Sequence, residues 1–309
     1  MAIQPVSLSG YRTDFDAFSR DLGGAFERYG FAILSDHDLP QRELDEALAQ
    51  TRAFFAQPET VKLAYNAPGG AGQRGYTPFG REAAKGASLS DLKEFWHIGR
   101  ELPAGHPYRA VMPDNVWPAE APQFQLAMLG LYRALDDLGA RVLKAIARHL
   151  DLADDAFEDP TRDGNSILRL LHYPPVAANA SGVRAGAHED INAITLLLGA
   201  EEAGLELLDR DGRWLPVNPP PGSVVCNIGD MLQRLTNHVL PSTTHRVVNP
   251  AAERCGVARY STPFFLHFRP DFLIETLPSC VGPDRPDRYP EPVTADAYLR
   301  ERLREIGLA

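Results

Sequence analysis

Between residues 166 and 268 the chain breaks into many short runs rich in β-branched and aromatic residues, with Pro, Gly or Asp marking the turns between them. Short strands at that spacing predict a double-sheet jelly roll, that is, a double-stranded β-helix. The runs at 194–198, 222–230, 242–250 and 257–265 read as four of its strands. Helices are expected around it. Residues 13–65 predict two helices about a short strand at 31–34. Residues 67–91 read as a long Gly/Ala-rich loop and 91–98 as a strand entering the core. Residues 101–122 are Pro-rich and irregular. Leu131, Leu135, Leu138, Val142 and Ile146 recur at helical spacing within a long helix at 123–150. A short helix at 294–306 closes the chain. The expected fold is mainly β with flanking helices, one jelly-roll core at 165–270, a leading region at 1–122, the long helix and its connection at 123–164 and a tail at 271–309.

Charge and composition narrow the function. The chain has 309 residues, 44% of them hydrophobic, which is enough for a substantial core. Its formal net charge of −10 argues against a nucleic-acid partner, because such affinity rests on basic surface. No signal-peptide pattern and no run of membrane-spanning length is present, so no membrane partner is expected. Cys226, Cys255 and Cys280 lack CxxC spacing and fit free thiols in a reducing compartment. The expectation is a cytoplasmic protein acting on a small molecule; its oligomeric state is left open.

Two H-x-D triplets occur, and their settings differ. His149-Leu150-Asp151 closes the long helix, where residues two apart point to nearly opposite sides and cannot chelate one ion. His188-Glu189-Asp190 precedes a strand, and on a strand residues i and i+2 share a face. His245 lies in a second β-rich run. Two imidazoles and one carboxylate can cap one face of a metal and leave the other open, which is the ligand set of non-haem Fe(II) oxygenases. The alternative for His188 and Asp190 is a surface ion pair at a strand end. Arg259 and Ser261 are also two apart on a predicted strand. A guanidinium fork beside a hydroxyl suits a carboxylate; the alternatives are a structural salt bridge and an ordinary strand serine.

The ordered set His188-Glu189-Asp190, Gly204-Leu205, Asp211-Gly212-Arg213-Trp214, Asn227-Ile228-Gly229-Asp230, Thr236-Asn237, His245-Arg246-Val247 and Arg259-Tyr260-Ser261 resembles the isopenicillin N synthase-like branch of the Fe(II)/2-oxoglutarate-dependent dioxygenases. Gly30-Phe31, Phe54-Phe55, Lys62 and Gly75-Tyr76 are similar to that family's leading region. The resemblance implies iron ligation by His188, Asp190 and His245, with no further catalytic residue. It implies 2-oxoglutarate held by Arg259, Ser261 and Tyr173, the last in a Tyr-Pro step that also fits a plain strand end. It further implies O2 as co-substrate, release of succinate and CO2, and hydroxylation, desaturation or ring closure of a small organic molecule. Leu171 stands where plant members carry Asn, Glu189 where Thr is frequent and His238 where Gly is usual.

Three other functions remain open to the sequence. An Fe(II) oxidase of the same family would use Arg259 and Ser261 for another anion. A metal-dependent hydrolase could use the same ligands, and a jelly roll could serve as a non-catalytic binding module. Tyr76, Phe95, His97 and Phe265 are the expected substrate-pocket residues, and His172 and His238 the extra imidazoles near the motif.

Overall fold

The computed structural model describes residues 3–67, 73–82, 90–176, 181–199 and 203–305. Strand β1 (Pro5–Ser7) and the short helix α1 (Gly10–Thr13) lead into helix α2 (Phe15–Tyr29). Asp14 caps α2 by accepting from the Ala17 N–H at 3.0 Å. Phe18, Leu22 and Phe26 recur every four residues and bury one stripe of the helix. Gly30 ends it at φ 65°, and a Cβ there would meet Thr243 Oγ1 at 2.3 Å, so the turn into β2 (Phe31–Ser35) needs glycine on both counts.

Helices α3 (Gln41–Phe55) and α4 (Glu59–Leu63) follow, then β3 (Gly75–Thr77) and β4 (Glu94–Gly99). The segment expected to be a long loop therefore contains a strand; the rest of that expectation falls partly on residues 68–72 and 83–89, outside the described residues. Helix α5 (Pro122–His149) starts on a proline, whose missing N–H costs nothing in a first turn. Its glycine at 139 lets it approach the sheet, since a Cβ there would meet Leu266 Cδ1 at 2.3 Å. After α6 (Glu158–Thr161) come β5 (Ile167–Tyr173), β6 (Ala185–His188), β7 (Ile194–Leu198), β8 (Leu205–Leu208), β9 (Trp214–Pro216) and β10 (Val224–Ile228). The chain finishes with α7 (Asp230–Leu235), β11 (His245–Val247), β12 (Arg259–Leu266), β13 (Leu273–Ile274), β14 (Val293–Thr294) and α8 (Ala295–Glu305). Only three residues of the β-rich run around His245 pair as strand.

The strands form an eight-stranded sheet in the order β1-β2-β10-β7-β12-β5-β4-β3 and a four-stranded sheet in the order β6-β11-β8-β9. They face one another as a jelly roll. Strand parity sorts the side chains. Ala32, Leu34, Trp96, Ile98, Leu168, Leu170, Leu196, Cys226, Phe264 and Leu266 join the core under the helices. Phe31, Ile33, Val225, Leu205, Leu207 and Val247 form a second core between the two sheets. The same alternation turns Arg169, Leu171 and Tyr173 of β5, Thr195 of β7, Asn227 of β10 and Arg259, Ser261 and Phe265 of β12 into the space between the sheets.

Candidate metal centre and active site

Strands β6 and β11 pair antiparallel with His188 directly opposite His245. Their rings are 4.4 Å apart, and each Nε2 lies 3.8 Å from Asp190 Oδ1. One ligand atom from each of the three residues lies within 4.8 Å of the others, and no other such group of His, Cys, Asp or Glu occurs among the described residues. Asp190 is not on the strand, contrary to expectation. β6 ends at His188, and Asp190 stands in the bend before β7, where its carbonyl accepts from the Asp230 N–H at 2.9 Å. Its carboxylate reaches the histidines from a fixed loop, not through a shared strand face.

The outer contacts leave the inner atoms available. His188 Nδ1 donates to the Gly186 carbonyl at 2.7 Å and His245 Nδ1 to the Thr243 carbonyl at 3.0 Å. A carbonyl can only accept, so in the neutral rings the proton sits on Nδ1 and the Nε2 lone pairs face the centre. Asp190 Oδ2 accepts from Thr195 Oγ1 at 2.6 Å and Asn227 Nδ2 at 2.8 Å, leaving Oδ1 toward the histidines. Burial opposes ionisation of Asp190, but the two imidazoles and these donors outweigh it and hold its pKa below the usual carboxylate range. Burial, then the neighbouring His245, presses the His188 pKa down to about 4, although 38% of its side chain is exposed; the ring is neutral at neutral pH.

The motif Asn227-Ile228-Gly229-Asp230 thus divides its work. Asn227 bonds Asp190. Gly229 packs so closely on Asn192 that a Cβ would lie 2.0 Å from its Oδ1, and Asn192 Nδ2 donates to Thr195 Oγ1 at 2.8 Å. Asp230 pairs with Arg302 of α8 at 3.0 Å. The sequence shows the motif but not these roles, because its contacts join residues 37 to 72 positions apart through the fold.

Arg259 and Ser261 share the inner face of β12, as expected, and both are buried. Arg259 Nη1 donates to Ser261 Oγ at 3.2 Å, and its guanidinium lies 5.1 Å from the Tyr173 ring. Its Nε has no partner, and no carboxylate pairs with it among the described residues. A buried cation without a counter-charge is an anion site in waiting. These residues and the His/Asp cluster line one cavity between the two sheets. Of the expected pocket residues, Phe265 lines this cavity, while Phe95 and His97 stand behind Arg169, which also lines it. Tyr76 does not: its hydroxyl donates to Glu94 on the helix side, in a buried cluster with Lys62 and His172. His238 bonds the Tyr289 hydroxyl at 2.6 Å, and His149 contacts Glu27 at 3.0 Å; neither approaches the cavity.

Comparison with known proteins agrees with this geometry. The 2OG-Fe(II) oxygenase superfamily profile matches residues 164–268, and the N-terminal profile of non-haem dioxygenases in morphine synthesis matches residues 3–120. The 2-oxoglutarate-Fe(II) type oxidoreductase hxnY of Emericella nidulans is 33% identical, over 89% of this chain and 80% of its own length. The chain belongs to the 2OG-Fe(II) oxygenase superfamily. A 2OG-Fe(II) oxygenase family protein of Caulobacter crescentus has the same fold, with 61% identity, a TM-score of 0.93 and 99% of each chain covered. A full-length Neurospora crassa protein, solved in complex with alpha-KG and thymine, is 28% identical with a TM-score of 0.86, over 98% of this chain and 96% of that one. This oxygenase is an Fe(II)- and 2-oxoglutarate-dependent dioxygenase that uses O2 to oxidise a small organic molecule. That membership favours the dioxygenase over the hydrolase and binding-module alternatives. No helix among the described residues is long and apolar enough to cross a membrane.

Proposed function

We propose that His188, Asp190 and His245 are the iron ligands of this oxygenase, and that Arg259, Ser261 and Tyr173 hold the far carboxylate of 2-oxoglutarate. The observation that carries this is the orientation of the donor atoms: two imidazole nitrogens and one carboxylate oxygen turned together, with every outer atom tied elsewhere. That donor set fits Fe(II) with an open face. When bound, the iron supplies the site at which 2-oxoglutarate and O2 react and through which a substrate C–H is oxidised.

The chain's own part is positional. Gly186 and Thr243 carbonyls fix the imidazole tautomers. Thr195 and Asn227 keep Asp190 ionised and aimed. Arg259 supplies the charge-assisted fork that a distal carboxylate needs, Ser261 keeps a hydroxyl proton to donate, and the Tyr173 ring supports the guanidinium. Leu197, Leu205 and Val247 form an apolar wall that restricts water. We further read residues 165–270 as the working core, with 1–122, 123–164 and 271–309 built around it. The three cysteines are buried free thiols, which supports a cytoplasmic setting.

Metal content tests the ligand assignment. His188→Ala and His245→Ala should lose stoichiometric iron while keeping the wild-type circular dichroism. His149→Ala, whose ring contacts Glu27, should keep its iron. Full iron retention by either active-site variant would overturn the assignment.

A further inference from the structure

We propose that Arg169 recognises an uncharged oxygen acceptor on the substrate, a carbonyl or amide oxygen, and that Glu82 sets this selectivity by supplying the arginine's counter-charge. The inference rests on the site assigned above and adds the chemical class of its substrate.

Two arginines line the cavity from adjacent strands, Arg259 buried and Arg169 partly buried, and their surroundings differ. Arg259 lies opposite Tyr173 across the β12–β5 pairing. Arg169 lies four residues before Tyr173 on β5, roughly 13 Å along the strand at the usual rise. A 2-oxoglutarate with one end at the iron and the other at Arg259 leaves Arg169 to face the substrate. Arg259 has no carboxylate partner among the described residues, so it calls for an anion. Arg169 already has one. Its Nη1 and Nη2 donate to the two Glu82 oxygens at 3.2 and 3.3 Å, and its Nε donates to His97 Nε2. Glu82 and Asp91 also pair with the buried Lys93, at 2.7 and 2.8 Å. Burial disfavours the Glu82 carboxylate, but Arg169 and Lys93 outweigh it and hold its pKa well below the usual range. Among the described residues, the two cations and two carboxylates of this cluster balance in charge.

The guanidinium is also fixed in orientation. It stands 4.3 Å from the Phe95 ring and 5.2 Å from the Phe265 ring. A guanidinium carries five N–H groups, and three are engaged here, so two remain for a ligand. They point to opposite edges of the planar group, and a carbonyl oxygen can take one of them without bringing charge. A carboxylate would lose its hydration beside a cation already neutralised by Glu82, which costs more than it returns.

The test is a matched pair of probes, benzamide and benzoate, titrated anaerobically into the Fe(II)·2-oxoglutarate protein while the iron-to-ketoacid absorption is followed. Wild type should bind benzamide at least about tenfold more tightly than benzoate. Glu82→Gln frees the Arg169 charge and should narrow or reverse that preference. Arg169→Met should lose benzamide binding by about tenfold or more, with 2-oxoglutarate binding unchanged. Wild-type binding of benzoate as tight as benzamide, no response to benzamide at millimolar concentration, or a preference unchanged in Glu82→Gln would each overturn the inference. A missing 2-oxoglutarate band would instead overturn the underlying site assignment. Should Glu82→Gln fail to fold, Arg169→Met and the wild-type preference still decide the matter.

Discussion

Asn227 shows how a residue can act on the centre through Asp190. Its side-chain N–H and the Thr195 hydroxyl both serve one oxygen of Asp190. Removing an outer contact of a metal ligand commonly costs about 10- to 100-fold in metal affinity. Asn227→Ala should therefore weaken Fe(II) binding by about that factor, measured by competition with a chelator, and leave 2-oxoglutarate affinity per bound iron unchanged. Unaltered iron affinity would remove Asn227 from this account. At this scale the sequence was legible where like residues sit two apart or share one motif, as with His188, Asp190, Arg259 and Ser261. It assigned Thr195 no role and Asn227 only a place in a motif; the link of Asn227 to Asp190 exists because β7 and β10 are neighbours in the large sheet. Asp190 shares the H-x-D triplet with His188 but not its strand: the loop after β6 aims it.

Helix α8 is tied to the centre through a short chain of contacts. Arg302 pairs with Asp230, and the Asp230 N–H bonds the carbonyl of Asp190. Burial raises the Asp230 pKa to about 7 despite the adjacent arginine, so the carboxylate depends on that partner. Breaking a buried pair by removing one member typically costs about 3–5 kcal/mol. Arg302 is partly exposed, so Arg302→Ala should cost the lower end of that range, read as a drop in unfolding free energy in urea. A loss below about 0.5 kcal/mol would show that α8 is not held this way. Gly229→Ala tests the neighbouring turn: its Cβ would displace Asn192 and through it Thr195, so both stability and iron affinity should fall together. Helices and strands were largely legible as elements. Residues 15–29, 122–149 and 295–305 are helical close to where their patterns place them. β3 was hidden because Gly75–Thr77 is too short to show alternation and lies at the edge of the sheet beside β4.

For the molecule as a whole, strand parity separates two chemistries across one sheet, with a helix-covered face that is apolar outside the Glu94 cluster and a polar cavity on the other. His267 marks the edge of that division. Burial pushes its pKa down to about 4. The unfolded chain, with an ordinary histidine near 6.5, binds more protons between those values, so this group's stability contribution falls as pH drops from 6.5 to 4. The full difference is about 3 kcal/mol. Asp230 works in the opposite sense over much of the same window, because the folded state binds its proton more readily. Comparing apo wild type with His267→Gln at pH 7.5 and about 4.5 isolates the histidine: the variant should lose less stability on acidification, and an identical slope in both would contradict its burial as a neutral ring. The jelly roll, and the grouping of His188, Asp190 and His245, could be read from the sequence because short strands and H-x-D and H spacings are local. The order of strands, and the balanced Glu82/Asp91/Lys93/Arg169 cluster it assembles, is not local and needed the fold. The most direct test of the central claim is an anaerobic titration of the Fe(II) protein with 2-oxoglutarate, following the iron-to-ketoacid charge-transfer absorption in wild type and Arg259→Ala. The account predicts a saturable band in wild type. It predicts that Arg259→Ala weakens 2-oxoglutarate by about 2–5 kcal/mol, about 30- to several-thousand-fold, with iron still bound. A band that appears with equal affinity in both proteins would contradict it.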